Sequence, residues 1–352
     1  MFTNITGHSD FIESLRGKSS TFILSLSNTK TAEIPGITQA GIPGMIHLTP
    51  TLDSEFLCIG EVRSLDNIAE TPKGVPTPAL ITRGVHLLKP YNSIELLNLG
   101  LEVKPKINYF KQYSFDIEPS KRIDDGASIE AQELFQKGIE FGQNYECEND
   151  YIILAESVPS GTTTATATAL ALGYNCKDKF SSSFKNVPND IRDTTIEKAL
   201  KNITPNDDIF DILGKVSDNM IIFNAGFILG LNNKIPLVLA GGTQMACVLL
   251  VVNKILEMMD GKIETSNLSL CTTSWVADDT NSDIKGLLEL LNFKINSYYV
   301  DFDFGLSNHP ALKLYDEGEA KEGVGAGAAI MYGYLNGLTQ EQITKKVEEF
   351  LA

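Results

Sequence analysis

The sequence predicts a three-layer, doubly wound α/β fold with a mostly parallel sheet and a smaller companion lobe. Three observations predict it. From about Asp125 onward, short apolar runs alternate with helical patterns. The runs are almost continuously apolar, as strands covered on both faces are. Two of them, residues 151–155 and 235–240, end in small-residue turns that open straight into helices. At 352 residues the chain has room for one large domain and a companion. The expected divisions are residues 1–125, short strands and loops contributing to the sheet, to a small lobe or to both; 126–335, the α/β core; and 336–352, a closing helix.

Taken in order, the first 120 residues are rich in Gly, Pro and Thr, and the apolar runs at 21–26 and 56–59 read as strands between turns. Residues 34–36 and 71–78 cannot be helix interiors, because proline lacks an N–H and holds its predecessor extended. Ser128 is placed to cap a helix through about Gly142, with Ile129, Leu134, Phe135 and Ile139 at near-helical spacing. A strand at 151–155 leads through a Ser/Gly/Thr turn into an Ala/Thr-rich helix ending near Gly173. A strand at 235–240 leads through Gly241-Gly242 into a helix to about Met259. Residues 220–223, 268–276 and 297–302 are further strand candidates, His309-Pro310 starts a short helix, and 339–352 form an amphipathic last one.

Composition narrows the function. Hydrophobic residues at 43% and charged residues at 21% are ordinary for a globular chain. A formal net charge of −16 argues against a nucleic-acid partner or an anionic membrane. It leaves room for an anion held locally by helix-start N–H groups. The five cysteines (Cys58, Cys147, Cys176, Cys247, Cys271) are scattered without a CxxC, so reduced core thiols and a cytoplasmic location are expected. With four histidines and no HExxH, no zinc or other metal site is expected. No apolar stretch reaches the roughly 18 residues of a membrane-spanning helix.

Three constellations can carry chemistry. In the first, residues 154–165, a strand ends at Glu156 and a small-residue loop opens a helix. Ser160 or Thr162 can cap that helix, Gly161 permits close approach, and the N–H groups through Thr163 and Thr164 can face an anion. The same residues read also as a well-capped helix without a ligand, or as a Thr-rich strand. In the second, Glu322 precedes Gly323, Gly325 and Gly327 at a helix start. The polar stretch before it is no strand, so a dinucleotide fingerprint is disfavoured. The helix dipole lowers the pKa of such a carboxylate, whereas burial raises it. In the third, Gly241-Gly242-Thr243-Gln244 either lines a pocket or makes a tight strand-to-helix turn.

Read together, residues 156–169, 225–246 and 322–329 resemble the nicotinate-nucleotide:dimethylbenzimidazole phosphoribosyltransferases. The Glu156 loop with Gly161, Thr162 and Thr163 is similar to that family's phosphate loop. Gly226-Phe227-Ile228-Leu229-Gly230 followed by residues 235–242 is similar to its helix, Ile-Pro and strand signature. Glu322-Gly323-Val324-Gly325-Ala326 resembles its catalytic glutamate segment. Ala240 stands where the family usually has aspartate and Lys321 where it usually has glycine, which points to a divergent, archaeal-type branch.

The resemblance implies transfer of the phosphoribosyl group of nicotinate mononucleotide to a benzimidazole-type base, in assembly of the lower ligand of cobalamin. It implies a homodimer, small-molecule substrates and no cofactor. Glu322 would be the base, and Glu156 would face the ribose or its developing charge. Ser160 to Thr164 would hold the phosphate, and Gly241, Gly242, Gly323, Gly325 and Gly327 would approach substrate. Competing readings are a phosphoribosyl-pyrophosphate transferase, against which Ser157 stands where a paired acid is usual, and a non-catalytic nucleotide- or base-binding protein.

Overall fold

The computed structural model describes residues 2–352. Its strands are β1 (Phe2–Thr6), β2 (Ser20–Leu26), β3 (Ser93–Asn98), β4 (Lys111–Ser114), β5 (Tyr151–Ser157), β6 (Leu237–Ala240), β7 (Leu268–Thr273) and β8 (Asn296–Val300). They form one sheet in the order β1-β8-β7-β6-β5-β2-β3-β4. Every pairing is parallel except that of β1 with β8. The first 125 residues thus supply β1 to β4.

The longer helices are α1 (Thr49–Ile59), α2 (Ala79–Leu88), α3 (Ala131–Asn144), α4 (Gly161–Ala171), α5 (Asn189–Lys201), α6 (Ile209–Val216), α7 (Asn219–Leu231), α8 (Thr243–Met258), α9 (Ala326–Leu335) and α10 (Gln340–Glu348). Alternation along β5 sends Tyr151, Ile153 and Ala155 into a core shared with α1, α2, α9 and α10. Ile152 and Leu154 point into the opposite core, shared with α3, α4, α7 and α8. These are the three layers that the apolar runs predict. A smaller apolar cluster gathers α5 and α6 around Ile123, Ala127, Ala167, Ile196, Ala199 and Val216. All five cysteines are free thiols. Among the described residues no helix is long and apolar enough to cross a membrane.

The structure corrects three local expectations. Residues 56–59 are the end of α1, not a strand: Pro50 sits in its first turn and Gly60 ends it at φ 77°. Residues 220–223 are the start of α7, where Asp218 accepts from Ile221 N at 3.0 Å as a side-chain cap. Both helices are buried almost all round, so no polar stripe marks their period. Ser128 does not cap α3: it lies at φ 54°, its Oγ donates to Gly126 O at 3.3 Å, and the helix begins after Glu130.

From β2 the chain moves outward through β3 to β4, then returns to lay β5 on the other side of β2 and continues outward through β6, β7 and β8. The two directions part between β2 and β5. There Ser25 pairs with Glu156 and Leu26 with Ser157, at the carboxyl ends of both strands. Ligands of open α/β sheets bind above such a switch point, where the diverging connections leave a crevice.

Candidate active site

A cleft enclosing about 920 Å³, its open mouth included, lies above this point. Its floor and walls come from five places: residues 156–162, the turn at 242–244, the segment at 320–324 before α9, Ser181–Ser183, and an N-terminal wall containing Asp53 and residues from the 69–78 segment. Of the residues nominated from sequence, it brings together Glu156, Ser160, Gly161, Thr162, Gly242, Glu322 and Gly323.

The other nominated residues stand behind the lining. An added Cβ on Gly325 would lie 2.8 Å from Ala155 Cβ and 3.1 Å from Ala240 Cβ, and one on Gly327 would lie 2.3 Å from the carbonyl carbon of Thr272. Those glycines let α9 settle on the strand ends. The small side chain of Ala240 serves the same contact. Gly241 faces Met245 Cγ, at 2.9 Å from an added Cβ. Thr163 is buried, and buried Thr164 donates its hydroxyl to Asp218.

Glu156 is the penultimate residue of β5, 4% exposed. Its carboxyl is pushed up to about 8, first by burial and then by the nearby charges of Glu322, Asp218 and Asp53. Glu322 is held on both oxygens: Oε1 accepts from Gly323 N and Gly327 N at 3.2 Å each, and Oε2 from Thr273 N at 3.1 Å and Thr272 Oγ1 at 3.2 Å. Burial pushes its carboxyl up to about 7 against these four donors. The backbone that presents it runs through three positive φ values, Gly323 at 143°, Val324 at 51° and Gly325 at 68°. A β-branched residue in the left-handed region is strained. Val324 is held there by its N–H to Glu156 O at 2.9 Å and by Thr82 Oγ1 to its carbonyl at 2.8 Å. One hydrogen bond therefore ties the two carboxylate-bearing segments together.

Ser160 occupies the N-cap position of α4 at φ 63°, but its side chain does not cap the helix. Among the described residues its Oγ, like Gln244 Oε1, is buried and bonded to no protein atom. Both residues line the cleft. Buried polar atoms of this kind are suited to a partner from outside the chain, a ligand or water.

Sequence reasoning missed Asp53 and the partner of Lys321. Asp53, in α1, accepts from Thr77 Oγ1 at 2.6 Å and from Ser157 Oγ at 2.7 Å, and burial pushes it up to about 6. Lys321 Nζ lies 2.7 Å from Asp279 Oδ2, both side chains being almost fully buried, and also donates to Phe184 O at 3.2 Å. Only Lys321 carried a signal, as a departure from the family pattern. Glu319 joins three walls, accepting from Gln39 Nε2 at 2.5 Å, from Lys73 Nζ, and from Lys185 N at 3.4 Å.

These features define an α/β protein of the doubly wound class, with a cleft at its switch point that holds a buried glutamate, Glu156, and a half-buried one, Glu322. The fold is similar to that of nicotinate-nucleotide–dimethylbenzimidazole phosphoribosyltransferase from Thermus thermophilus, with a TM-score of 0.59 and 14% identity over 95% of this chain and 83% of that one. It is similar also to CobT from the same organism, with a TM-score of 0.55 and 14% identity over 94% and 84%. No family model matches the chain. The UPF0284 protein of Saccharolobus solfataricus is 35% identical over 332 residues, 93% of this chain and 91% of that protein. That of Sulfurisphaera tokodaii is 35% identical over 334 residues, 94% and 92% of the two chains. The chain belongs to the UPF0284 protein family.

Proposed function

We propose that this protein is a phosphoribosyltransferase that moves the phosphoribosyl group of nicotinate mononucleotide to a benzimidazole-type base, giving an α-ribazole phosphate and nicotinate for the lower ligand of a cobamide. The observation that carries this reading is the pairing of Glu322 with Glu156 in one cleft at the switch point.

The chemistry asks for little more. As the glycosidic bond breaks, its electron pair returns to the pyridinium nitrogen, and the ring leaves without acid assistance. One nitrogen of the acceptor bonds to C1′ from the opposite face, and the N–H on its other nitrogen turns acidic. Glu322 takes that proton. A carboxyl poised near 7 is matched to a base working at neutral pH. Glu156 faces the sugar, where positive charge on the ring and at C1′ favours its anion. Ser160 Oγ and the Thr162 N–H in the first turn of α4, whose neighbours Gly161, Thr163 and Thr164 already donate to backbone carbonyls, receive the phosphate and align C1′ with the acceptor.

A pyrophosphate donor suits the cleft less well. Such donors arrive with Mg²⁺ at paired acids, whereas Ser157 follows Glu156 and its hydroxyl is taken by Asp53. The reading also has the enzyme acting in the cytoplasm as a homodimer, which sedimentation would test. Chromatography of the products formed with 5,6-dimethylbenzimidazole, 5-hydroxybenzimidazole and adenine tests the reaction and names the acceptor. A ribazole phosphate with one of them supports it, and nucleotide binding with no product under any acceptor moves the reading to a binding protein.

A further inference from the structure

Asp53 lines the cleft, is almost fully buried and has no part in the transfer chemistry. Both of its oxygens are taken: Oδ2 accepts from Ser157 Oγ at 2.7 Å and Oδ1 from Thr77 Oγ1 at 2.6 Å. Thr77 Oγ1 itself accepts from Ala79 N at 3.2 Å, so the bridge continues into the first turn of α2. Each arm ends beside one of the two glutamates. Ser157 follows Glu156 at the end of β5. Thr77 precedes Pro78, whose Cγ would lie 3.5 Å from a Cβ added on Gly323. Beyond it, α2 sends Thr82 Oγ1 to Val324 O at 2.8 Å. Gly323 and Val324 are the two residues that follow Glu322. Burial pushes the Asp53 carboxyl up to about 6, so an acid is a costly way to fill this space. An apolar side chain would pack there without that cost, but it would not hold hydroxyls from two separate elements at a fixed distance and direction.

Building on the transferase reading, we infer that Asp53 is a positioning residue of this site: by spanning from Ser157 to Thr77 it sets the spacing between Glu156 and Glu322. The first of these faces the sugar and the second takes the acceptor proton, so their spacing fixes where the donor's C1′ meets the acceptor ring. Asp53 touches no reacting atom. Its effect is on alignment, and a displacement of about 1 Å at a reacting centre lowers a rate by up to about 100-fold.

The test compares the wild type with Asp53→Ala and Asp53→Asn, using nicotinate mononucleotide as donor and saturating 5,6-dimethylbenzimidazole. Calorimetry gives donor affinity, and crystal structures of all three give the distance between the Glu156 and Glu322 carboxyls. Asparagine keeps the size of the side chain and can accept from one hydroxyl while donating to the other. The expected result is a loss of about tenfold or more in kcat for Asp53→Ala with donor affinity within about threefold, and recovery of at least about threefold of that loss by Asp53→Asn. A smaller loss, a smaller recovery or a larger fall in affinity overturns the inference and leaves the transferase reading intact. If Asp53→Ala does not melt cooperatively, Ser157→Ala, which cuts one arm alone, replaces it under the same criteria for kcat and affinity. If the wild-type chain gives no product, the transferase reading fails and the structures decide. A change of about 1 Å or more in the carboxyl separation in Asp53→Ala, reversed in Asp53→Asn, then supports the spacing role, and a smaller change overturns it.

Discussion

At the scale of single residues, the proposed chemistry rests on two carboxyls whose ordinary acidity the fold has altered. Replacing Glu322 with Gln keeps its shape and removes its basicity. The expected loss is about 100-fold or more in kcat, with donor affinity within about threefold, read by product chromatography and calorimetry. Glu156 makes a prediction about stability. Its carboxyl is raised from 4.5 to about 8 in the folded chain, so between those values the native state holds a proton that the unfolded state has released. Stability from this group is therefore complete below about 4.5 and is lost as pH rises through about 8. Glu156→Gln should match the wild type near pH 5 and melt several degrees higher near pH 8.5 in thermal scans of the ligand-free protein. Both glutamates could be read from sequence because each stands at a junction of strand or glycine run with helix. Asp53 could not, since it meets Ser157 across 104 residues of chain and nothing local in α1 marks it as a neighbour of the cleft.

At the scale of elements, close helix packing does what side-chain pattern alone does not reveal. An added Cβ on Gly226 of α7 would lie 2.2 Å from Phe135 O of α3, and one on Gly230 would lie 2.2 Å from Ile139 O. Gly138 and Gly142 of α3 make the reciprocal approach, at 2.3 Å from Phe223 O and 2.5 Å from Phe227 O. Gly226→Ala forces the two helix backbones apart and should cost about 1–3 kcal/mol, seen as a lower urea midpoint with an unchanged slope. The helices that the sequence made legible are those with an end signal or a polar face. In α10, Thr339 and Gln342 form a reciprocal capping box. The helices α1 and α7 were hidden because they are buried on almost every side, and a short stretch of such a helix reads like a buried strand. The strained turn at Val324 was also hidden, since only the hydrogen bonds from Thr82 and to Glu156 make that backbone tenable.

At the scale of the whole molecule, function follows from where the sheet changes direction. The strand order is set by long crossovers, so the adjacency of β2 and β5, and with it the place of the cleft, does not appear in any local pattern. Alternating apolar runs and helices gave the class of the fold, and the order of three motifs gave the family likeness. The N-terminal wall stayed unread because its contacts across the cleft are polar and distant in sequence. Glu319 is one such contact, joining Gln39, Lys73 and Lys185. Glu319→Ala should loosen that wall and raise the donor KM by about three- to tenfold with a smaller change in kcat, since it removes positioning and no chemistry.

The most direct measurement follows release of the pyridine ring from donor mononucleotide by the wild-type chain, with and without 5,6-dimethylbenzimidazole. Ring release that depends on the added base, matched by an equal amount of α-ribazole phosphate, is the predicted result. Release that proceeds equally without the base, leaving free ribose phosphate, would contradict it, because the cleft would then be activating water and not an acceptor ring.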